Sequence, residues 1–168
     1  TPLIEMGADL DITNERLEGV EPVGDIHVRS SKLNGIDVPA KRAASMIDEY
    51  PILSVAASCS QGRTYMPGIA ELRVKETDRI AEMARGLEAC GVSVDEQPDS
   101  LTVDGQKQIT GGTTIESQHD HRIAMSFLVL GMVSQQTVSV MNTETIATSF
   151  PQFASLMNEA GANIYAPE

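Results

Sequence analysis

The densest run of reactive side chains is Glu71-Leu-Arg73-Val-Lys75-Glu76-Thr-Asp78-Arg79, three cations and three carboxylates within nine residues. A strand-like segment ends just before it and helical periodicity begins just after it. A helix N-terminus there would add unpaired backbone N–H groups and a positive dipole, both of which attract anions. Lys75 and Arg79 stand four residues apart and Glu76 and Arg79 three apart, spacings that share one face of a helix. The competing reading is a solvated helix start with ordinary ion pairs, the usual fate of a surface charge run.

Two further motifs could do chemistry. His119-Asp120-His121-Arg122 opens another apolar helical pattern. A His-x-His pair can ligate zinc, but no third Cys or His stands at the usual spacing. Arg122 is expected at the rim of that helix start, free for an anion or salt-bridged to Asp120 or a nearby loop. In Ser45-Met-Ile-Asp48-Glu49-Tyr-Pro51, Asp48 is expected to be a helix N-cap with Pro51 in the first turn. A substrate hydroxyl is its other candidate partner. Walker A, GxGxxG, GxSxG and HExxH patterns are absent, which removes the common nucleotide, hydrolase and zinc-protease readings.

The elements that must position these residues form a repeat. Leu3 to Leu10, Leu87 to Val94 and Met157 to Ile164 each read as a helix end, a glycine and a short strand. Gly7, Gly91 and Gly161 stand where a helix C-cap needs positive φ, and such a recurrence marks a supersecondary unit used repeatedly. Asp48 and Asp120 each precede an apolar helix, running to Cys59 and Val133. Strands are expected at Thr64 to Ile69 and Thr137 to Met141. Second helices come next, with Ile80, Met83, Ala84 and Leu87 on one face and Phe153, Leu156, Met157 and Ala160 on the other's, the latter opened by Pro151. Hairpins are expected from Asp25 to Val38, turning at Asn34-Gly35, and from Val92 to Asp104, turning at Pro98-Asp99. The fold class is therefore α/β, with two βαβαββ-like units. Residues 1–24 read as the tail of a preceding unit, 25–104 as a second unit and 105–168 as a third, so the domain is expected to be incomplete. The loop from Gly105 to Gly112 is expected to be mobile.

The 168 residues carry 41% apolar side chains, 4% aromatics and no tryptophan, enough for one core packed by aliphatic side chains and methionine. The formal net charge of −12 argues against a nucleic-acid or anionic-membrane partner. It does not exclude an anionic metabolite, which a local cation cluster can bind. Ile123 to Val133 is too short and too interrupted to span a bilayer. No charged-then-apolar leader opens the chain, and Cys59 and Cys90 read as buried free thiols. A cytoplasmic location is expected.

Taken together, these motifs resemble the EPSP synthase family. Leu72-Arg-Val-Lys-Glu-Thr-Asp-Arg79 is similar to the family signature and Asp120-His-Arg-Ile-Ala-Met125 to its DHR-x-A-M helix start. Ile47-Asp48, Ser149-Phe-Pro151 and Gly161-Ala162 fall in family order. Ser45 to Leu53 and Ala147 to Pro151 look like the bacterial subgroup that includes glyphosate-tolerant enzymes. The resemblance implies a parent of two domains, each of three βαβαββ units, of which this chain is the C-terminal part. The missing N-terminal half would be its partner, supplying the opposite wall of a cleft. The implied reaction moves the enolpyruvyl group of phosphoenolpyruvate onto the 5-hydroxyl of shikimate 3-phosphate, in aromatic amino-acid biosynthesis, with no metal or organic cofactor.

By the same resemblance Glu76 is the proton donor and acceptor. Asp48 orients or deprotonates the 5-hydroxyl, Lys75 lies near both substrates, and Arg79 and Arg122 clamp the phosphoenolpyruvate carboxylate. Many family members carry a lysine where Thr148 stands here, so either another cation serves the phosphate or its binding is weaker. Two alternatives stand beside the enzyme reading. The isolated chain could be a non-catalytic fragment that needs its complementary half and dimerises through exposed apolar surface. More remotely, it could belong to the transferase acting on UDP-N-acetylglucosamine, against which the Arg73 to Arg79 motif argues.

Overall fold

A computed structural model of the chain describes residues 2–166. Its first helix, α1 (Pro2–Glu5), ends at Gly7 with φ of 91°. The N–H of Gly7 donates to the Ile4 carbonyl and that of Ala8 to the Leu3 carbonyl, both at 2.9 Å. This is a Schellman motif, and it demands the left-handed conformation that only glycine adopts freely. The same pair of bonds recurs at Gly91 (φ 87°) and at Gly161 (φ 102°), so all three expected C-caps share one geometry.

The chain takes a different course after each cap. Beyond Gly7 it forms a long antiparallel ribbon, β1 (Asp9–Glu18) and β2 (Glu21–Arg29), turning at Gly19-Val20. The expected hairpin between Asp25 and Val38 is thus replaced, because β2 pairs backward with β1. Alternation puts Leu10, Ile12, Ile26 and Val28 on one face of the ribbon and Asp9, Asp11, His27 and Arg29 on the other. Ile12, Ile26 and Val28 are all exposed, so this apolar face has no cover among the described residues.

The next stretch contains one full βαβαββ order. Asn34 and Asp37 form parallel bridges to Gln61 and Tyr65. Then come a 3-10 turn (Ala40–Arg42), α2 (Ala43–Met46), a second 3-10 turn (Ile47–Glu49), α3 (Tyr50–Ser58) and β3 (Gly62–Pro67). A 3-10 segment (Ala70–Val74) leads into α4 (Arg79–Ala89), and the hairpin β4 (Ser93–Gln97) and β5 (Ser100–Gly105) comes after it. The three strands form an antiparallel sheet in the order β3-β5-β4, with the Pro98-Asp99 turn where it was expected. α3 is predominantly apolar and buried along most of its surface, with Ile52 left exposed. Its Ser54 and Ser58 hydroxyls donate to backbone carbonyls one turn back, which satisfies them inside the core.

The remainder begins with β6 (Ile109–Gly111) and β7 (Thr114–Glu116), crosses through α5 (His121–Gly131) and returns as β8 (Ser134–Gln136) and β9 (Ser139–Met141). β6 pairs parallel with β8 and β7 with β9, the ladder a helical crossover permits. The segment from Gly105 to Gly112, expected to be mobile, is tied by this pairing and by burial of Ile109. After α6 (Ile146–Ser149) and the Pro151 turn, α7 (Phe153–Glu159) is the last element. Phe153 is buried, but Leu156 is exposed. Among the described residues no strand forms after Gly161, where the Asn158 side chain bonds both the N–H and the carbonyl of Ile164.

α3, α4 and α5 pack together over the sheet. Their shared core includes Tyr50, Leu53, Met66, Ile80, Met83, Leu87, Ile123, Phe127 and Leu130. Cys90 lies in it as expected, whereas Cys59 caps the end of α3 and is exposed. No helix among the described residues is long and apolar enough to cross a membrane.

α4 and α5 approach each other at Gly86, where an added Cβ would meet the Phe127 ring at 2.1 Å. Elsewhere in a helix, Gly→Ala gains about 1 kcal/mol. Here we expect Gly86→Ala to destabilise by about 1–2 kcal/mol, because overpacking dominates. Urea unfolding would read this, with Phe127→Leu recovering part of the loss. An unchanged or raised midpoint would contradict the close helix approach.

Candidate functional site

Three separated segments meet where α4 and α5 begin. Asp78 caps α4, accepting from Ala81 N at 3.0 Å. Asp120 caps α5, accepting from Arg122 N at 2.9 Å and Ile123 N at 3.4 Å. Both helices therefore start at an aspartate, as their sequences require. The third segment is the 3-10 turn that carries Asp48 ahead of α3. Asp48 caps nothing: the residue flanking α3 is Glu49, which makes no side-chain cap bond. The Asp48 carboxylate is drawn instead to two arginines.

Arg79 is the centre of the arrangement. Its side chain is 1% exposed, and the carboxylate of Asp120 beside it is 0% exposed. Nε donates to Asp120 Oδ2 at 2.8 Å and Nη2 to Asp120 Oδ1 at 3.3 Å, a side-on two-bond pairing. On the outer edge, Nη1 donates to Asp48 Oδ1 at 2.9 Å and Nη2 to Glu76 Oε2 at 2.5 Å. These outer carboxylates are about half exposed, at 41% and 52%. One buried cation thus holds an inner carboxylate and two that face solvent. Arg122 completes the group, donating from Nη1 to the Asp48 carbonyl at 2.9 Å and pairing with Asp48 Oδ2 at 3.3 Å.

The electrostatics stem from this packing. Burial alone would raise the Asp120 carboxyl, but the Arg79 bond and charge, with the Arg122 N–H and the Thr77 hydroxyl, hold it below the usual aspartate range. Burial alone would lower Arg79, and its bonds and charge interactions with Asp120, Glu76 and Asp48 raise it instead. The pair is ionised on both sides.

Of the residues singled out in sequence, Asp48, Glu76, Arg79 and Arg122 come together here. Lys75 does not share a helical face with Arg79, because it lies in the loop before α4 and reaches Glu71 Oε1 at 2.5 Å. Thr148 bonds the Thr145 carbonyl and brings no cation. His119 pairs with exposed Glu144 at 2.5 Å, and no group of three or more His, Cys, Asp or Glu among the described residues is placed to hold a metal ion. Gln118 and His119 both adopt positive φ, 51° and 60°, turning the backbone so that Asp120 faces inward. Beside Arg122 a cleft of about 200 Å³ opens, lined by Asp48, Ile52, Met125, Ser126 and Phe153.

The pairing of Asp120 with Arg79 is not legible in the sequence. Its signal was the aspartate of the second helix start, which spacing alone could not connect to a side chain 41 residues earlier. Arg73 is legible in the sequence only as a member of the charge run. It bonds Asp78, Glu96 and two carbonyls of the β4–β5 turn.

The stability of the pair can be tested directly. Asp120→Asn keeps the helix cap but strips the charge, and we expect it to cost about 3–5 kcal/mol at neutral pH, as for a broken buried ion pair. Asp48→Asn, half exposed, should cost about 1 kcal/mol or less. Equal costs in urea unfolding would contradict the inner and outer ranking.

Comparison with known proteins identifies the family of the chain. Residues 2–157 match the family described as EPSP synthase (3-phosphoshikimate 1-carboxyvinyltransferase). The 3-phosphoshikimate 1-carboxyvinyltransferase of Cereibacter sphaeroides is 57% identical over 98% of this chain and 37% of its own length. That of Paramagnetospirillum magneticum is 58% identical over 96% of this chain and 36% of its own. The chain therefore spans little more than a third of these relatives. A solved structure of EPSP synthase from Acinetobacter baumannii superimposes with a TM-score of 0.94 at 44% identity, covering 99% of this chain and 39% of that one. The enolpyruvyl transferase NikO from Streptomyces tendae shares the fold, with a TM-score of 0.68 at 20% identity over 99% of this chain and 36% of that one.

Proposed function

This chain belongs to the EPSP synthase family, and from that premise we propose that its parent transfers the enolpyruvyl group of phosphoenolpyruvate to the 5-hydroxyl of shikimate 3-phosphate, releasing phosphate. The observation that carries the proposal is the meeting of Asp48, Glu76, Arg79 and Arg122 at two adjoining helix starts. This is a step of aromatic amino-acid biosynthesis, and we place it in the cytoplasm.

The chemistry assigns a task to each group. The methylene carbon of phosphoenolpyruvate takes a proton while the 5-hydroxyl oxygen bonds to the neighbouring carbon and loses its own proton. Phosphate then leaves, and a proton departs from the methyl carbon to restore the double bond. No redox partner is required. One carboxyl group can give the proton and, as the carboxylate, take it back, and Glu76, half exposed at the outer edge of Arg79, is placed for that role. Asp48 accepts from the 5-hydroxyl. Lys75, Arg79 and Arg122 bind the anionic groups, with the substrate carboxylate competing against Asp48 and Glu76 for the outer edge of Arg79.

The chain supplies one wall of the cleft. Catalysis of this kind needs groups converging on the substrate from both sides, so the isolated chain is read as a folded fragment without turnover. The test is phosphate release from phosphoenolpyruvate plus shikimate 3-phosphate, with the chain alone and with the rest of the parent added as a second polypeptide. We expect activity only in the mixture, reduced at least about 10²-fold by Glu76→Gln. Activity in the chain alone would overturn the two-wall reading. An inactive mixture together with an inactive intact parent would overturn the reaction.

A further inference from the structure

Between the 3-10 segment Ala70–Val74 and α4 lies a short loop, Lys75 to Asp78, that carries both Lys75 and Glu76. Val74, which leads into it, is 80% exposed, so apolar burial does not hold this loop in place. Within the loop Glu76 bonds Arg79 and the Thr77 hydroxyl donates to Asp120 Oδ2 at 3.1 Å, and an ion pair joins the loop's two ends: Arg73 Nη1 donates to Asp78 Oδ2 at 2.8 Å and to Oδ1 at 3.1 Å. The same guanidinium reaches outward to the β4–β5 hairpin. Nη1 also donates to Glu96 Oε1 at 2.9 Å, Nε to the Pro98 carbonyl at 2.9 Å and Nη2 to the Gln97 carbonyl at 2.7 Å.

The hairpin tip is itself anchored. Asp99 accepts from Ala70 N at 2.7 Å through its side chain, and from Gly68 N and Ile69 N through its carbonyl. Arg73 therefore ties the start of the loop, the cap of α4 and a fixed strand turn into one unit. A lysine could keep the charge but not these divergent bonds, which need the planar fork of arginine.

We propose that Arg73, acting through Asp78, is a positioning residue that holds Glu76 at the distance and angle its proton transfer needs. Arg73 touches no reacting atom and works only by stapling the loop. This rests on the role proposed for Glu76. A misplacement of about 1 Å in such a group can cost about 10²-fold in rate, so the expected effect lies in turnover rather than in affinity.

The experiment uses the full-length parent with Arg73→Lys, Asp78→Asn and the double variant. Asp78→Asn keeps an α4 cap, since asparagine caps as well as aspartate, so it serves even if Arg73→Lys folds poorly. Steady-state kinetics, deuterium exchange from D2O into the methylene carbon of phosphoenolpyruvate, and thermal midpoints are measured together. We expect kcat and exchange to fall in parallel by about 10²-fold, with KM for shikimate 3-phosphate unchanged. The double variant should be little worse than either single one, because both break the same pair. Wild-type kcat and exchange in the folded variants, whatever their midpoints, would overturn the proposal and mark Arg73 as purely structural. So would a fully additive double variant. If the wild-type parent itself releases no phosphate, the reaction fails and this proposal fails with it. An active parent with unaffected variants sinks this proposal alone.

Discussion

A guanidinium cannot be taken out of water without an opposite charge and partners for its N–H groups. Arg79 is buried at the first residue of α4, and the arrangement of the site stems from that constraint. The inner edge needs a carboxylate equally buried, which fixes Asp120 and with it the start of α5. The outer edge needs acceptors at the surface, which fixes Asp48 and Glu76. Three segments remote in sequence are thereby brought within hydrogen-bond reach of one side chain.

The same constraint accounts for local departures from simple helix rules. Asp48 forgoes the N-cap position that its place before an apolar helix offers, because pairing with two arginines is worth more than one backbone bond. Gln118 and His119 take left-handed conformations that cost non-glycine residues about 1–2 kcal/mol each. In exchange Asp120 faces inward, with Ser117 held by the Met141 and Asn142 carbonyls behind it. Strain of this kind collects where a site must be held in one geometry. The outer carboxylates are held less tightly than the inner one, which suits groups that must let go of Arg79 when a substrate arrives.

Most local rules read from sequence held where the deciding interaction was itself local, the shared face of Lys75 and Arg79 excepted, because the Asp78 cap starts α4 only at Arg79. The three glycine caps, the Asp120 cap, the helical face of Ile80, Met83, Ala84 and Leu87, and the Pro98-Asp99 turn all depend on residues within one or two turns. Reading failed where a distant partner decides. β2 could pair forward or backward, and its own alternation cannot say which. The strand expected after Gly161 gave way to a side chain, Asn158, that caps the same backbone groups. In the candidate site, the members were legible as motifs of charge at helix starts. Their sharing of one cation was not, since 41 residues separate Arg79 from Asp120 and no periodicity links them.

The whole arrangement depends on Arg79 and Asp120 forming a buried ionised pair. Because the folded Asp120 carboxyl is depressed, its contribution to stability is present above the unfolded aspartate value of about 3.9 and is lost as pH falls through the folded one. The direct measurement is a carbon-13 NMR titration of the side-chain carboxyls in the folded chain. The Asp120 signal is expected to stay that of a carboxylate at pH values where ordinary exposed aspartates have already taken up a proton. A midpoint for Asp120 at or above about 3.9 would mean that Arg79 does not hold it, and would contradict the pairing on which the site is built.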